Sequence, residues 1–143
     1  MSEDEGQQPT PLTRQEGLAV MLDVVNVFMR LRTRMPASLI GTFLKAATNQ
    51  GLSVSELAAK RAISGAVMSR HLGELGQRNR RGGAGLGLIA MVQEIHGDHR
   101  ERRVYLTDNG VALLRRVLAA IKGEGPMAQQ SRKPVSPCKP VTP

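Results

Sequence analysis

No proline lies between Pro36 and Pro126, although the chain contains eight. Proline lacks a backbone N–H and breaks helix interiors and central strands. The stretch it spares can therefore form regular structure without interruption, and the prolines mark off its flanks. The ordered fold is expected over residues 13–122. Residues 1–12 read as a disordered acidic N-terminus. Residues 123–143 hold five prolines among Ser, Gln and Lys and read as a disordered basic tail.

Within the ordered stretch, helix starts are marked by side chains that can satisfy the orphan N–H groups of a first turn. Thr13-Arg14-Gln15-Glu16 has the capping-box spacing and predicts a helix to about Arg34. Leu18, Leu22, Val25 and Met29 form one apolar stripe on it, and Met21, Val24, Phe28 and Leu31 form a second. Two apolar faces on a terminal helix exceed what one small core covers. Such a helix is either central and buried or shared across a dimer interface. Pro36 suits the first turn of a second helix, with Leu39, Ile40, Phe43, Leu44 and Ala47 inward and Gly51 beyond its end.

Ser53-Val54-Ser55-Glu56 is another capping box, opening a short helix through Lys60. After the turn Arg61-Ala62-Ile63, Ser64 caps a helix whose Met68, Leu72 and Leu75 repeat at i, i+4, i+7. Helix, three-residue turn and helix make a helix-turn-helix. Its other face offers Gly65, Ala66, Val67, Ser69 and Arg70, groups small or polar enough to lie against base edges. Leu88–Ile95 and Arg102–Leu106 read as strands around a Gly97-Asp98 turn. Thr107 then caps a last helix with Val111, Leu114, Leu118 and Ile121 on one side.

Charge narrows the function. Net charge is +8, and 15 of the 20 basic residues are arginine, the side chain best shaped for bidentate contact with phosphate or guanine. Residues 60–103 hold nine bases against four acids, which points to a polyanionic partner. The aromatic residues are Phe28, Phe43 and Tyr105 alone, too few for a base-stacking platform. Double-stranded DNA is the expected partner.

Other chemistries find little support. The longest apolar runs are five residues, where a membrane helix needs about 20. Met1-Ser2-Glu3-Asp4-Glu5 is acidic where a secretory signal is basic, so a cytoplasmic protein is expected. A single Cys138 cannot close an internal disulfide or a cysteine zinc cage. Glu94, His96, Asp98 and His99 have the types of metal ligands, but at a hairpin tip they read as solvated. The glycine-rich 82–87 follows no strand and opens no helix, as a phosphate loop must. No enzyme, metal or cofactor is expected.

The order of elements resembles the MarR-type (multiple antibiotic resistance regulator) winged helix-turn-helix family. Ser53–Ala58 leading to Met68-Ser69-Arg70 carries part of the resemblance. Gly87-Leu88-Ile89, Asp98-His99-Arg100 and Leu106-Thr107-Asp108-Asn109-Gly110 carry the rest. The resemblance implies a mainly α fold with a small β-hairpin wing (α+β), over residues 13–122, dimerised through its N- and C-terminal helices. It implies a homodimer interface at Leu18, Leu22, Val25, Met29, Leu114, Leu118 and Ile121. It also implies a recognition helix whose Ser64, Gly65, Ala66, Val67, Ser69 and Arg70 enter the major groove. Arg100 would reach the minor groove, with Asp98 orienting it, and Arg102 or Arg103 would contact phosphates.

The expected function is sequence-specific transcriptional regulation, most simply repression, with nonspecific architectural or mobile-element DNA binding as the alternative. A small-molecule effector would fit the family, but no residue here identifies its site. The chain departs from the family at Gln77–Leu86, which adds about ten residues with Arg78, Arg80 and Arg81. That insertion is either a basic loop that clamps phosphates or a solvated excursion.

Overall fold

A computed structural model of the protein describes residues 12–77 and 85–132. Its elements in chain order are α1 (Arg14–Leu31), α2 (Ala37–Thr48), α3 (Val54–Arg61), α4 (Gly65–Leu75), β1 (Ile89–His96), β2 (His99–Leu106), α5 (Asp108–Ile121) and α6 (Pro126–Arg132). They gather into two compact units, one of residues 27–117 and one whose described parts are residues 12–26 and 118–132. The ends of α1 and α5 contribute to both.

The caps form as their spacing predicts. The Thr13 hydroxyl accepts from the Glu16 N–H and the Glu16 carboxylate from the Thr13 N–H. Ser53 and Glu56 close the same reciprocal box on α3, and the Ser64 hydroxyl accepts from the Val67 N–H at the start of α4. Between α3 and α4 the chain turns through Ala62 in the left-handed region (φ 54°). Pro36 sits one residue earlier than expected, at the N-cap of α2 rather than in its first turn. It restricts the entry to α2 and lends no capping side chain.

In the larger unit, Phe28, Leu39, Phe43, Leu57, Met68, Leu72, Leu75, Leu88, Ile89, Val104, Leu113 and Val117 are buried. Phe28 meets Phe43 edge-on at 6.1 Å between ring centroids, a favourable quadrupole arrangement. The hairpin is antiparallel from Ile89↔Leu106 to His96↔His99, three residues longer on the return strand than the alternation predicts. Gly97 (φ +61°) begins its two-residue turn and Asp98 keeps a negative φ, the pattern of a II′ turn, which matches strand twist and lets pairing run to its ends. Residues 51–53 extend the sheet on the β2 side. Gly51 N–H donates to the Val104 carbonyl, and Val104 N–H donates to that of Leu52.

Thr107 fixes the junction of hairpin and α5. Its hydroxyl donates to the Gly87 carbonyl at 2.6 Å and accepts from the Gly110 N–H, while its own N–H donates to the Leu88 carbonyl. The expected basic insertion is pinned at its base, where Gly85 N–H donates to the Gln77 carbonyl and Gly87 N–H to that of Gly76. Arg78, Arg80 and Arg81 lie outside the described residues.

The smaller unit corrects the expected tail. Residues 126–132 form a helix, α6, where composition pointed to disorder. Its first turn is capped from far along the chain. The Asp23 carboxylate, 3% exposed, accepts the N–H groups of Met127 at 3.0 Å and Ala128 at 2.9 Å. Gly125 has no side chain with which to cap the helix itself, and a Cβ there would collide with that same carboxylate. Ala128 is buried. Asp23→Ala should leave two amides without an acceptor, at about 1–3 kcal/mol for a buried orphan group. Hydrogen exchange at Met127 and Ala128 reads it: both should accelerate sharply, while amides of the larger unit keep their rates.

Candidate nucleic-acid interface

Recognition of a duplex needs small and hydrogen-bonding groups on a protruding helix and cations placed around it. The start of α4 meets the first need. Ser64, Gly65, Ala66, Ser69 and Arg70 are exposed and Val67 is half-buried, whereas Met68, Leu72 and Leu75 on the opposite side are buried. The i, i+4, i+7 stripe thus turns the other face outward, with nothing within 4 Å of where a Gly65 side chain would stand.

The wing meets the second. Opposite residues of an antiparallel pair share a face, so Met91, Gln93 and Ile95 lie with Val104, Arg102 and Arg100. Arg100 and Arg102 are exposed, and neither they nor Arg70 has a hydrogen-bond or ion-pair partner among the described residues. Between this face and the helices opens a groove of about 590 Å³, lined by Ser53, Val54 and Ser55, by Ser69, Leu72 and Gly73, and by Met91, Arg100, Glu101 and Arg102. Ser53, Val54 and Ser55 were not singled out as candidates for this groove. Their capping-box signal announces a helix start and says nothing of the wing they face.

Arg103, expected as the alternative to Arg102 at a phosphate, is engaged within the protein: Nε donates to Glu94 at 2.7 Å, Nη1 to the Gly51 carbonyl at 2.7 Å and Nη2 to Glu101 at 3.3 Å. Pairing β2 one residue out of phase with Arg102 sends its side chain to the other face, where it ties the hairpin to the segment before α3. Its hydrogen bond to Glu94 raises its pKa further. Asp98 is exposed in the turn and has no ion pair with Arg100. An exposed pair of this kind gains only about 0–1 kcal/mol, too little to hold two surface side chains together.

The hairpin's other face holds Glu94 and His96, 3.2 Å apart. That hydrogen bond holds the Glu94 carboxyl below the usual carboxylate range, opposed by partial burial and reinforced by Arg103. A cation already occupies the carboxylate, and no group of three metal-ligating side chains occurs among the described residues.

His71 stands on the flank of α4. Its Nδ1 lies 2.8 Å from the Thr42 hydroxyl, which itself donates to the Ser38 carbonyl at 3.2 Å. The hydroxyl has one proton to give, so its oxygen accepts from an Nδ1–H. Burial lowers the His71 pKa, and the charges of Arg61 and Arg70 lower it further. The unfolded chain then binds the proton more readily, and stability falls as pH drops below 6.5 towards the folded-state value. His71→Gln keeps a hydrogen-bonding group without a titrating one. Its melting temperature should decline less than the wild type's between pH 7.5 and 5.5, which calorimetry at the two pH values would read.

The apolar residues expected to pair subunits are also in view. Leu18 is 65% exposed, and Leu22, Val25, Met29, Leu118 and Ile121 are likewise exposed, while Leu114 is half-buried. The second stripe of α1 divides, with Phe28 buried, Val24 and Leu31 half-buried and Met21 exposed. No helix among the described residues is long and apolar enough to cross a membrane.

Helices, a helix-turn-helix and an antiparallel hairpin before a further helix make a mainly helical α+β fold of winged-helix character. Among solved structures, the crystal structure of Rv1404 from Mycobacterium tuberculosis matches it with a TM-score of 0.56 over 87% of this chain and 77% of that one, at 13% identity. The likeness is one of fold. No protein-family model matches the sequence, and no curated protein does.

Proposed function

We propose that the protein is a sequence-specific, double-stranded-DNA-binding transcriptional regulator of the MarR type, most simply a repressor, acting as a homodimer. One observation carries the reading: Ser69 on the exposed face of α4 lines one open groove together with Arg100 and Arg102, which have no partner among the described residues. In a chain of net charge +8, unpaired arginines beside a small-residue helix face suit phosphate and base contact together. Ser64–Arg70 would read base edges, Arg100 would occupy the minor groove, and Arg102 would hold a phosphate. The homodimer is supported by the exposed stripe of α1 with Leu118 and Ile121, because an apolar surface of this kind marks an association site.

Selection from random duplexes tests the reading directly. Recovery of a two-fold symmetric sequence supports it; uniform recovery of all sequences supports architectural binding instead. On a selected site, Arg102→Ala should flatten the log–log salt dependence by about 0.9, the figure for one lost phosphate contact. An unchanged slope would remove Arg102 from the interface.

A further inference from the structure

Ile95 is the most exposed large apolar side chain among the described residues, at 67%. It lies at the end of β1, directly across from Arg100 and two residues before the Gly97-Asp98 turn. Pairing puts it on the face that carries Arg100 and Arg102, the face whose Met91 lines the groove against Ser69 of α4. On the opposite face Arg103 is paired with both Glu94 and Glu101. A lone exposed isoleucine needs no explanation. This one stands at a tip, beside cations without partners, on the recognition-helix side of the hairpin.

We propose that Ile95 is an apolar wedge. It enters the minor groove beside Arg100 and opens a base step, so the wing reads how easily the duplex deforms as well as where its charge lies. The proposal rests on the DNA-binding reading above and names a property of that site. Arg102 supplies the phosphate attraction that holds the tip down. The isoleucine supplies what a cation cannot, a non-polar surface to replace lost base stacking. Pyrimidine–purine steps unstack most readily and stiff A-tracts resist, so the wedge selects at a position where no base edge is hydrogen-bonded.

The test uses the full chain on a selected duplex labelled at both ends for energy transfer, with the step beneath the wing set as TA or placed within an A-tract. The wild-type complex should be bent by roughly 20–90° and should favour the TA duplex by about tenfold, a modest part of the deformation energies such bends require. Ile95→Ala should still bind with the wild-type salt slope but lose both the bend and the preference. Ile95→Leu, which keeps an apolar tip, should retain both. A straight wild-type complex, an Ile95→Ala complex bent like the wild type, or an Ile95→Leu complex as straight as Ile95→Ala would each overturn the wedge and leave DNA binding intact. Absence of salt-dependent binding to any duplex would overturn both readings together.

Discussion

Gly110→Ala should destabilise the protein by about 2 kcal/mol, within the range for forcing extra atoms into a packed site. The added methyl would collide with the Leu88 carbonyl oxygen and press on the Leu106 Cβ at 3.3 Å. A flexible side chain could rotate away, but a backbone carbonyl cannot. This one is held in place, because it accepts the Thr107 N–H at 3.0 Å. The better helix propensity of alanine returns only about 0.5–1 kcal/mol, so strain wins. Gly17→Ala supplies the opposite case. It lies within α1 with nothing inside 4 Å of the new methyl, and should stabilise by about 0.4–1 kcal/mol. Denaturant titration of the two variants would read both, and equal midpoints would refute the close approach.

The same junction explains the wing sequence. Leu106-Thr107-Asp108-Asn109-Gly110 makes one joint, in which Thr107 spans the strand and helix backbones and Gly110 lets them approach. The glycine is there for contact distance, not for an unusual dihedral angle. Its substitution therefore tests hairpin placement without altering any group proposed to meet DNA.

What the sequence displays is what acts over a few residues. Thr13, Ser53, Ser64 and Thr107 cap helices because donor and acceptor stand three apart, so the pattern is visible as spacing. The buried stripe of α4 is visible for the same reason, and with it the outward face proposed for base contact. Asp23 was not legible. It caps α6 across 104 and 105 residues of chain, and no local pattern announces a carboxylate's distant amides. Without that cap, residues 126–132 look like tail composition.

Arg103 shows a different limit. Counting bases along 60–103 treats neighbours as equivalent, but a strand sends them to opposite faces. Register alone decides that Arg102 is exposed while Arg103 is tied to Glu94 and Gly51. The two arginines therefore predict different defects. Loss of Arg102 concerns the proposed contact with DNA, whereas loss of Arg103 concerns how the hairpin is attached.

Leu18→Asp combined with Leu22→Asp should convert the proposed homodimer to a monomer without unfolding it. Both side chains face outward from α1, at 65% and 43% exposed, so neither carboxylate enters a core. Two buried, unpaired charges per subunit would oppose association, because burying an unpaired charge is far costlier than exposing a leucine. Linked half-site binding raises affinity by roughly 10²–10⁴ over one module alone. The variant should therefore lose a comparable factor on a two-fold symmetric duplex and little on a single half-site. Sedimentation would report the mass, and circular dichroism would report retained helix. The half-site comparison matters because added acids also repel DNA, and general repulsion would weaken both duplexes alike. A wild-type monomer, or a variant that remains dimeric, would detach the apolar stripe of α1 from the homodimer and leave its exposure in need of another partner.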